Sequence, residues 1–148
     1  MKLLIARPRL ALAAWLGVWG FTALLTHVPL PRGGTSPIPH LDKVAHFGLY
    51  FLLTYLGAAR LVASGAGVSA RTFVLWGVFY GVYGVVDELT QPWIRRTADL
   101  ADWLVDLVGI ASATWIAVIR LRNARLSAPQ DAPTGGAGGD SHLTGGRL

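Results

Sequence analysis

Carboxylates stand in parts of this chain that are otherwise apolar, and their spacing can gather several of them on one surface. Asp99, Asp102 and Asp106 are separated by three and four residues, so on a helix they form one stripe. Asp87 and Glu88 stand at the end of another apolar run. Ionisable groups inside a membrane are costly unless they are paired or hydrated, so such groups usually serve a function. These carboxylates are therefore candidates for holding a proton, a cation or a bound molecule.

Two further blocks add groups of complementary chemistry. Asp42, Lys43 and His46 begin an apolar run at spacings of three and four, which places them on one helical face. Asp42 is positioned to N-cap that helix. Glu88 and Gln91 are three apart and share a face in the same way. The sequence thus supplies an imidazole, an amide and an ammonium that can meet the carboxylates.

The acidic residues before position 90 have an electrostatic problem. Asp87 and Glu88 lie where a helix should end, and the negative end of the helix dipole opposes carboxylates there. A cation must compensate them, and Arg95 and Arg96 follow closely enough in sequence to do so. His27 and His142 lie outside these blocks, and we predict no role for either.

The composition is that of a membrane protein. Of the 148 residues, 53% are hydrophobic and 14% are charged, whereas soluble domains carry about 25% charged residues. No cysteine is present, which excludes disulfides and thiolate metal sites. The net charge of +5 comes from basic residues at the ends of apolar runs. There is no dense basic face with aromatic residues, so nucleic acid is not an expected partner and the lipid bilayer is.

Four apolar runs approach the roughly 20 residues needed to cross a bilayer. They are Leu10–Val28, Val44–Ala63, Thr72–Leu89 and Ala101–Ile119. We read the first as an uncleaved span, because it is long and no small-residue cleavage site closes it. Helices alone satisfy their own backbone hydrogen bonds in single apolar spans. The predicted fold is therefore all-α, a four-helix transmembrane bundle formed by residues 1–120.

The remaining segments are polar or rich in small residues. Residues 121–148 contain many Ala, Pro, Gly and Ser and few large apolar side chains, which predicts a disordered tail. Within the spans, small residues permit close helix contacts. We expect such contacts at Gly48, Gly57, Gly77, Gly81 and Gly84.

Basic residues near the spans predict the orientation of the bundle. Eight would lie on one side of the membrane: Lys2, Arg7, Arg9, Arg60, Arg71, Arg120, Arg122 and Arg125. Four would lie on the other: Arg32, Lys43, Arg95 and Arg96. The positive-inside rule then places both termini in the cytoplasm. The three polar blocks consequently meet at the outward face.

The three blocks, taken in order, resemble the VanZ-like family of bacterial membrane proteins. The matching elements are Asp42-Lys43-x-x-His46-Phe47 with Tyr50, then Tyr83-Gly84-x-x-Asp87-Glu88-x-x-Gln91, then Arg96-x-x-Asp99-x-x-Asp102-x-x-x-Asp106-x-x-Gly109. They run through residues 42–119. Many members have Asn at the position of Asp106, which implies that an amide can replace that carboxylate.

The resemblance implies an integral protein of the bacterial inner (cytoplasmic) membrane. The family takes its name from a protein associated with low-level resistance to the glycopeptide antibiotic teicoplanin. No reaction is established for the family, so the resemblance does not decide whether this chain is an enzyme.

Three functional hypotheses follow from the polar blocks. In the first, an outward-facing pocket binds or processes a lipid-linked or cell-wall-related molecule without a cofactor. His46 and Glu88 would act in acid–base steps, and an arginine would hold a phosphate or carboxylate. The remaining binding residues would be Asp42, Lys43, Gln91, Arg96, Asp99, Asp102 and Asp106.

The second hypothesis is a metal-dependent membrane enzyme. Carboxylates suit Mg²⁺ or Mn²⁺ acting on phosphate substrates, and the ligands would be Asp99, Asp102 and Asp106. The third is a non-catalytic scaffold in which the polar network only holds the helices together. Residue types and spacing alone leave all three open.

Reporter fusions test the predicted orientation. A periplasmic reporter fused after Leu30 should be active and one fused after Arg125 should be silent, because the eight-to-four basic asymmetry keeps both termini inside. An extracytoplasmic signal at Arg125 would contradict this topology.

Overall fold

The computed structural model describes residues 2–27, 40–65, 67–94 and 99–127. Within these ranges the secondary structure is helical. The elements are α1 (Lys2–Ile5), α2 (Pro8–His27), α3 (Leu41–Ala63), α4 (Ala70–Thr90), a 3₁₀ turn (Gln91–Ile94) and α5 (Leu100–Leu126). The helices α2 to α5 are each long and apolar enough to cross a membrane. The chain is accordingly a multi-pass membrane protein.

Polarity in the bundle is reversed relative to a water-soluble protein. Large apolar side chains such as Leu75 and Leu104 are exposed on its outside, while Asp87 and Asp106 are buried within it. An apolar exterior of this kind is compatible with the hydrocarbon core of a bilayer, where buried polar groups must find partners inside the protein.

Helix ends follow local capping rules with one departure from expectation. Ser69 and Thr72 form a reciprocal capping box at the start of α4, and the Asp99 side chain accepts a hydrogen bond from the Ala101 N–H at the start of α5. Asp42, however, is not the N-cap of α3. His40 occupies that position with a φ of 60°, and Asp42 lies in the first turn, where the helix dipole still favours its charge.

The last helix is longer than its apolar run. The sequence predicted a span ending at Ile119 and a tail from residue 121, whereas α5 continues to Leu126. Leu, Arg, Asn and Ala are all compatible with a helix, so the helix runs on past the span. The rest of the predicted tail, residues 128–148, lies outside the described residues.

The core between the helices is built from aromatic and small side chains. Tyr50, Leu53, Tyr80 and Ile110 form its main buried cluster. Trp15 packs against this cluster and donates a hydrogen bond to the Tyr80 hydroxyl at 3.0 Å. A second cluster of Ala58, Phe73 and Ala117 lies toward the other end of α3. These contacts fix the heights of α2, α3, α4 and α5 relative to one another.

Glycines set the closest helix contacts. A methyl group at Gly109 would lie 2.6 Å from the Phe47 carbonyl oxygen and 3.1 Å from the Phe51 nitrogen, so the backbones of α3 and α5 nearly touch there. A methyl group placed at Gly77, Gly81 or Gly84 of α4 would lie 3.0–3.2 Å from a side chain of α5. These glycines therefore permit close helix contacts, as expected. The expectation for Gly48 was wrong, because nothing lies within 4 Å of a methyl group placed there.

Gly109 and Gly48 form a matched pair of substitutions. Gly109→Ala should lower the thermal midpoint in detergent, because overpacking a well-filled contact typically costs about 1–3 kcal/mol. Gly48→Ala should leave the midpoint unchanged or raise it, since alanine is favoured over glycine in a helix by roughly 0.5–1 kcal/mol. Equal stability of the two variants would show that the α3–α5 contact at Gly109 is not as close as described.

Candidate functional site

The starts of α3 and α5 meet the end of α4 at one end of the bundle. This follows from the alternating directions of the helices, which bring the polar blocks to a common level. His46 of α3, Glu88 of α4 and Asp102 of α5 are 4%, 6% and 8% exposed, respectively. Three helices therefore each contribute a buried group that can bind protons or cations.

A close contact between an imidazole and a carboxylate joins α3 to α5. His46 Nδ1 lies 3.0 Å from Asp106 Oδ1, and both side chains are buried. In the neutral imidazole, a carboxylate at Nδ1 holds the proton there, and Nε2 then presents its lone pair on the other side of the ring. Asp106 thus orients His46 toward Asp102, whose Oδ2 is 3.9 Å from Nε2.

Lys43 bridges two carboxylates at the edge of the site. Its ammonium donates hydrogen bonds to Asp102 Oδ1 at 2.7 Å and to Asp99 Oδ2 at 3.0 Å. The Ala101 N–H and the Lys43 ammonium lower the pKa of Asp99, which lies between the spans. Asp42 lies farther out, half-exposed, with an oxygen 3.7 Å from Lys43 Nζ.

Glu88 connects the end of α4 to the start of α5. Its Oε1 accepts a hydrogen bond from Gln91 Nε2 at 3.2 Å, and its Oε2 accepts one from the Asp99 N–H at 2.9 Å. The Asp99 N–H is an unpaired donor of the helix start, so Glu88 supplies the acceptor that it lacks. A carboxylate that the α4 dipole disfavours is thereby stabilised by the next helix.

Most of the residues singled out in the sequence come together here. Contacts link His46, Glu88, Gln91, Asp99, Asp102 and Asp106, with Lys43 at the edge. Arg96, expected to hold an anion, lies outside the described residues, as does Arg95.

The predicted metal ligands are arranged differently from expectation. Among the described residues, the candidate ligand atoms that lie within 4.8 Å of one another belong to His46, Glu88 and Asp102. Asp99, Asp102 and Asp106 do not form such a group. The stripe needed all three residues to be helical, but Asp99 is the extended N-cap of α5 and turns toward Ala101 and Lys43.

A second polar contact, between α2 and α4, was missed. Thr26 donates a hydrogen bond to Asp87 Oδ1 at 2.8 Å, and His27 lies 3.0 Å from the Thr90 hydroxyl and 3.4 Å from the same Asp87 oxygen. The prediction that His27 has no role thus overlooked a contact. The signal was present, because His27 ends the first run at the height at which Asp87 ends the third.

Beside Glu88 the surface is hollow. A cavity of about 320 Å³ is lined by Glu88 and Asp99 together with Val85, Leu89, Leu100 and Trp103. A longer groove of about 780 Å³ runs between α4 and α5 from the level of Ala70 and Arg122, and it shares Val85 and Trp103 with the cavity. An apolar track on the outside of the bundle therefore leads to the polar site.

Comparison with known proteins finds one similar sequence of undescribed activity. An uncharacterized protein of Schizosaccharomyces pombe is 32% identical over an alignment of 103 residues that covers 66% of this chain. The matched region spans 62% of that relative's length. No protein-family model matches the chain, and no solved structure matches it. The name of this relative states no activity.

Substitutions of Asp106 test its contact with His46. Asp106→Asn keeps an oxygen that can accept the Nδ1 proton, so the thermal midpoint in detergent should stay close to that of the unmodified protein. Asp106→Leu has similar bulk but leaves a buried donor without a partner, which costs about 1–3 kcal/mol, and should lower the midpoint clearly. An Asp106→Leu protein as stable as Asp106→Asn would contradict the contact.

Proposed function

We propose that this protein resembles the VanZ-like family in function as well as in sequence blocks, and that it binds or processes a lipid-linked or cell-wall-related molecule of the bacterial envelope. In this proposal it resides in the inner membrane with both termini in the cytoplasm and the polar site facing outward. The observation that carries it is the apolar groove between α4 and α5, which leads to Glu88 and Asp99.

The groove has the form expected for a lipid chain. Its α4 side extends from Ala70 to Val85, which is roughly 22 Å at a rise of 1.5 Å per residue. That is about three-quarters of a hydrocarbon core of roughly 30 Å. Val78 and Val82 line it and are exposed, so a chain lying in the groove would reach it directly from the bilayer.

The polar end has the form expected for a headgroup. Beyond the shared residues Val85 and Trp103, the carboxylates of Glu88 and Asp99 join apolar side chains in the lining. Pockets that recognise small molecules combine an apolar wall with a few placed polar groups. The Lys43 ammonium beside Asp99 adds donors for a phosphate or carboxylate.

The proposed site also contains groups suited to proton transfer. His46 and Glu88 come from different helices and have ligand atoms within 4.8 Å of each other. A positioned imidazole and carboxylate are the usual general acids and bases of enzymes. They are the residues on which we expect any reaction at this headgroup to depend.

The groove favours this proposal over a purely structural scaffold. A scaffold requires contacts that pair buried polar groups across helices, such as those of His46 with Asp106 and of Lys43 with Asp102. It does not require an open apolar track that ends beside two of the carboxylates.

Filling the groove tests the proposal. Val82 lines it and is 58% exposed, so Val82→Trp should block it without disturbing the core. The matched control is Val86→Trp, a residue of α4 that is 51% exposed and does not line the groove. Lipids retained by each purified protein, and binding of an added polyprenyl phosphate, would be measured by native mass spectrometry.

We expect Val82→Trp to reduce retained lipid and polyprenyl phosphate binding at least tenfold, and Val86→Trp to change them by less than about twofold. Equal effects of the two variants, or an unmodified protein that retains no such lipid, would overturn the lipid-linked ligand.

A further inference from the structure

We propose that His46, Glu88 and Asp102 bind a divalent transition-metal ion of the Mn²⁺ or Zn²⁺ kind. This inference stands apart from the lipid proposed above, because its test uses the metal alone and no lipid. With the ion bound, His46 and Glu88 serve as its ligands instead of carrying a proton. It rests on the geometry of three buried side chains from three helices and on the hydrogen bonds that orient each of them.

The separations suit ligands of one ion. Two ligand atoms at about 2.1 Å from a metal are roughly 3.0 Å apart at a right angle and 4.2 Å apart across the ion. His46 Nε2 and Asp102 Oδ2 are 3.9 Å apart, too far for a hydrogen bond and within that range. The whole group lies within 4.8 Å, so a shift of about half an ångström brings it around an ion.

His46 supplies an independent indication of a ligand. Its side chain is 5% exposed, and its Nδ1 is occupied by Asp106. Its Nε2 makes no hydrogen bond to the residues that the structure describes and is aimed at Asp102. In the neutral imidazole the Nε2 lone pair faces the Asp102 Oδ2 atom at 3.9 Å, so that two acceptors oppose each other. A metal ion between them, with the Asp106 carboxylate behind the imidazole, would use both.

The other two candidate ligands are oriented in the same manner. Asp102 has one oxygen held by Lys43, which leaves Oδ2 toward His46. Glu88 is held by the Gln91 amide and the Asp99 N–H, and carboxylate oxygens each keep a second lone pair. Hydrogen-bonded partners behind every ligand are a general property of metal sites.

Charge favours a cation at this place. Glu88, Asp99, Asp102 and Asp106 contribute four carboxylates, and within the described part of the chain the lysine that contacts them is Lys43. Two positive charges would offset much of that excess in a low-dielectric setting. One imidazole with two carboxylates suits Mn²⁺ or Zn²⁺, and three protein ligands leave positions for water or a substrate.

The first experiment needs no variant. The full-length protein in detergent, stripped with chelator, would be titrated with MnCl₂ and examined by pulsed electron paramagnetic resonance. We expect one tightly bound Mn²⁺ per chain with a coupling to one histidine nitrogen. Failure to bind Mn²⁺ or Zn²⁺, or a bound ion without nitrogen coupling, would overturn the proposal.

Substitutions then assign the ligands. His46→Asn, Glu88→Gln and Asp102→Asn should each weaken binding at least tenfold and, for His46→Asn, remove the nitrogen coupling. The matched control is His27→Asn, since His27 also lies beside an aspartate at this end of the bundle, and it should change affinity by less than about twofold. Undiminished binding by a helical, monodisperse His46→Asn protein, or equal weakening by His27→Asn, would refute the assignment.

Discussion

The packing of the helices in this bundle depends on the free-energy cost of burying ionisable groups between membrane-spanning helices. His46 Nδ1 and Asp106 Oδ1 can be buried because each satisfies the other at 3.0 Å. That distance requires α3 and α5 to approach closely, and Gly109, three residues after Asp106, provides the space against Phe47. A side chain there would separate the helices and leave two buried polar groups unpaired, which is the costly outcome in a low-dielectric interior. The hydrogen bond between His46 and Asp106 thus depends on the close packing at Gly109.

The same requirement explains why the polar groups gather at one end. The ends of α2 and α4 and the starts of α3 and α5 meet there, and their free N–H and C=O groups need partners. Glu88 accepts from the Asp99 N–H, and Thr26 donates to Asp87. Carboxylates at the end of α4, which its own dipole opposes, are therefore stabilised by neighbouring helices. Deeper in the bundle, tyrosine, leucine and isoleucine fill the space instead.

The sequence was sufficient for the helices and for most of the polar site, and its failures have physical causes. Hydrophobic runs identify α2 to α5 because a bilayer-length apolar segment has few alternatives to a helix. Helical spacing grouped Asp102 with Asp106 correctly, but it failed for Asp99, which precedes the helix as its cap. The contact of His27 with Asp87 joins residues 60 positions apart. Spacing within one helix cannot detect it, and only the common level of the two helix ends indicates it. Gly48 shows the same limit, since a small residue allows a close contact without showing which helix face is packed.

The groove and the polar site would recognise different parts of the proposed lipid-linked ligand. Contacts between an apolar groove and a lipid chain are non-directional, so they favour lipids over water-soluble molecules but distinguish poorly among lipids. Discrimination must come from the headgroup end, where unpaired or like charges are strongly penalised. The carboxylates of Glu88 and Asp99 at that end would oppose an anionic headgroup, and the Lys43 ammonium beside Asp99 would attract it. A divalent ion held by His46, Glu88 and Asp102 would shift that balance toward the anion, because it offsets the carboxylates and offers open coordination positions to phosphate oxygens.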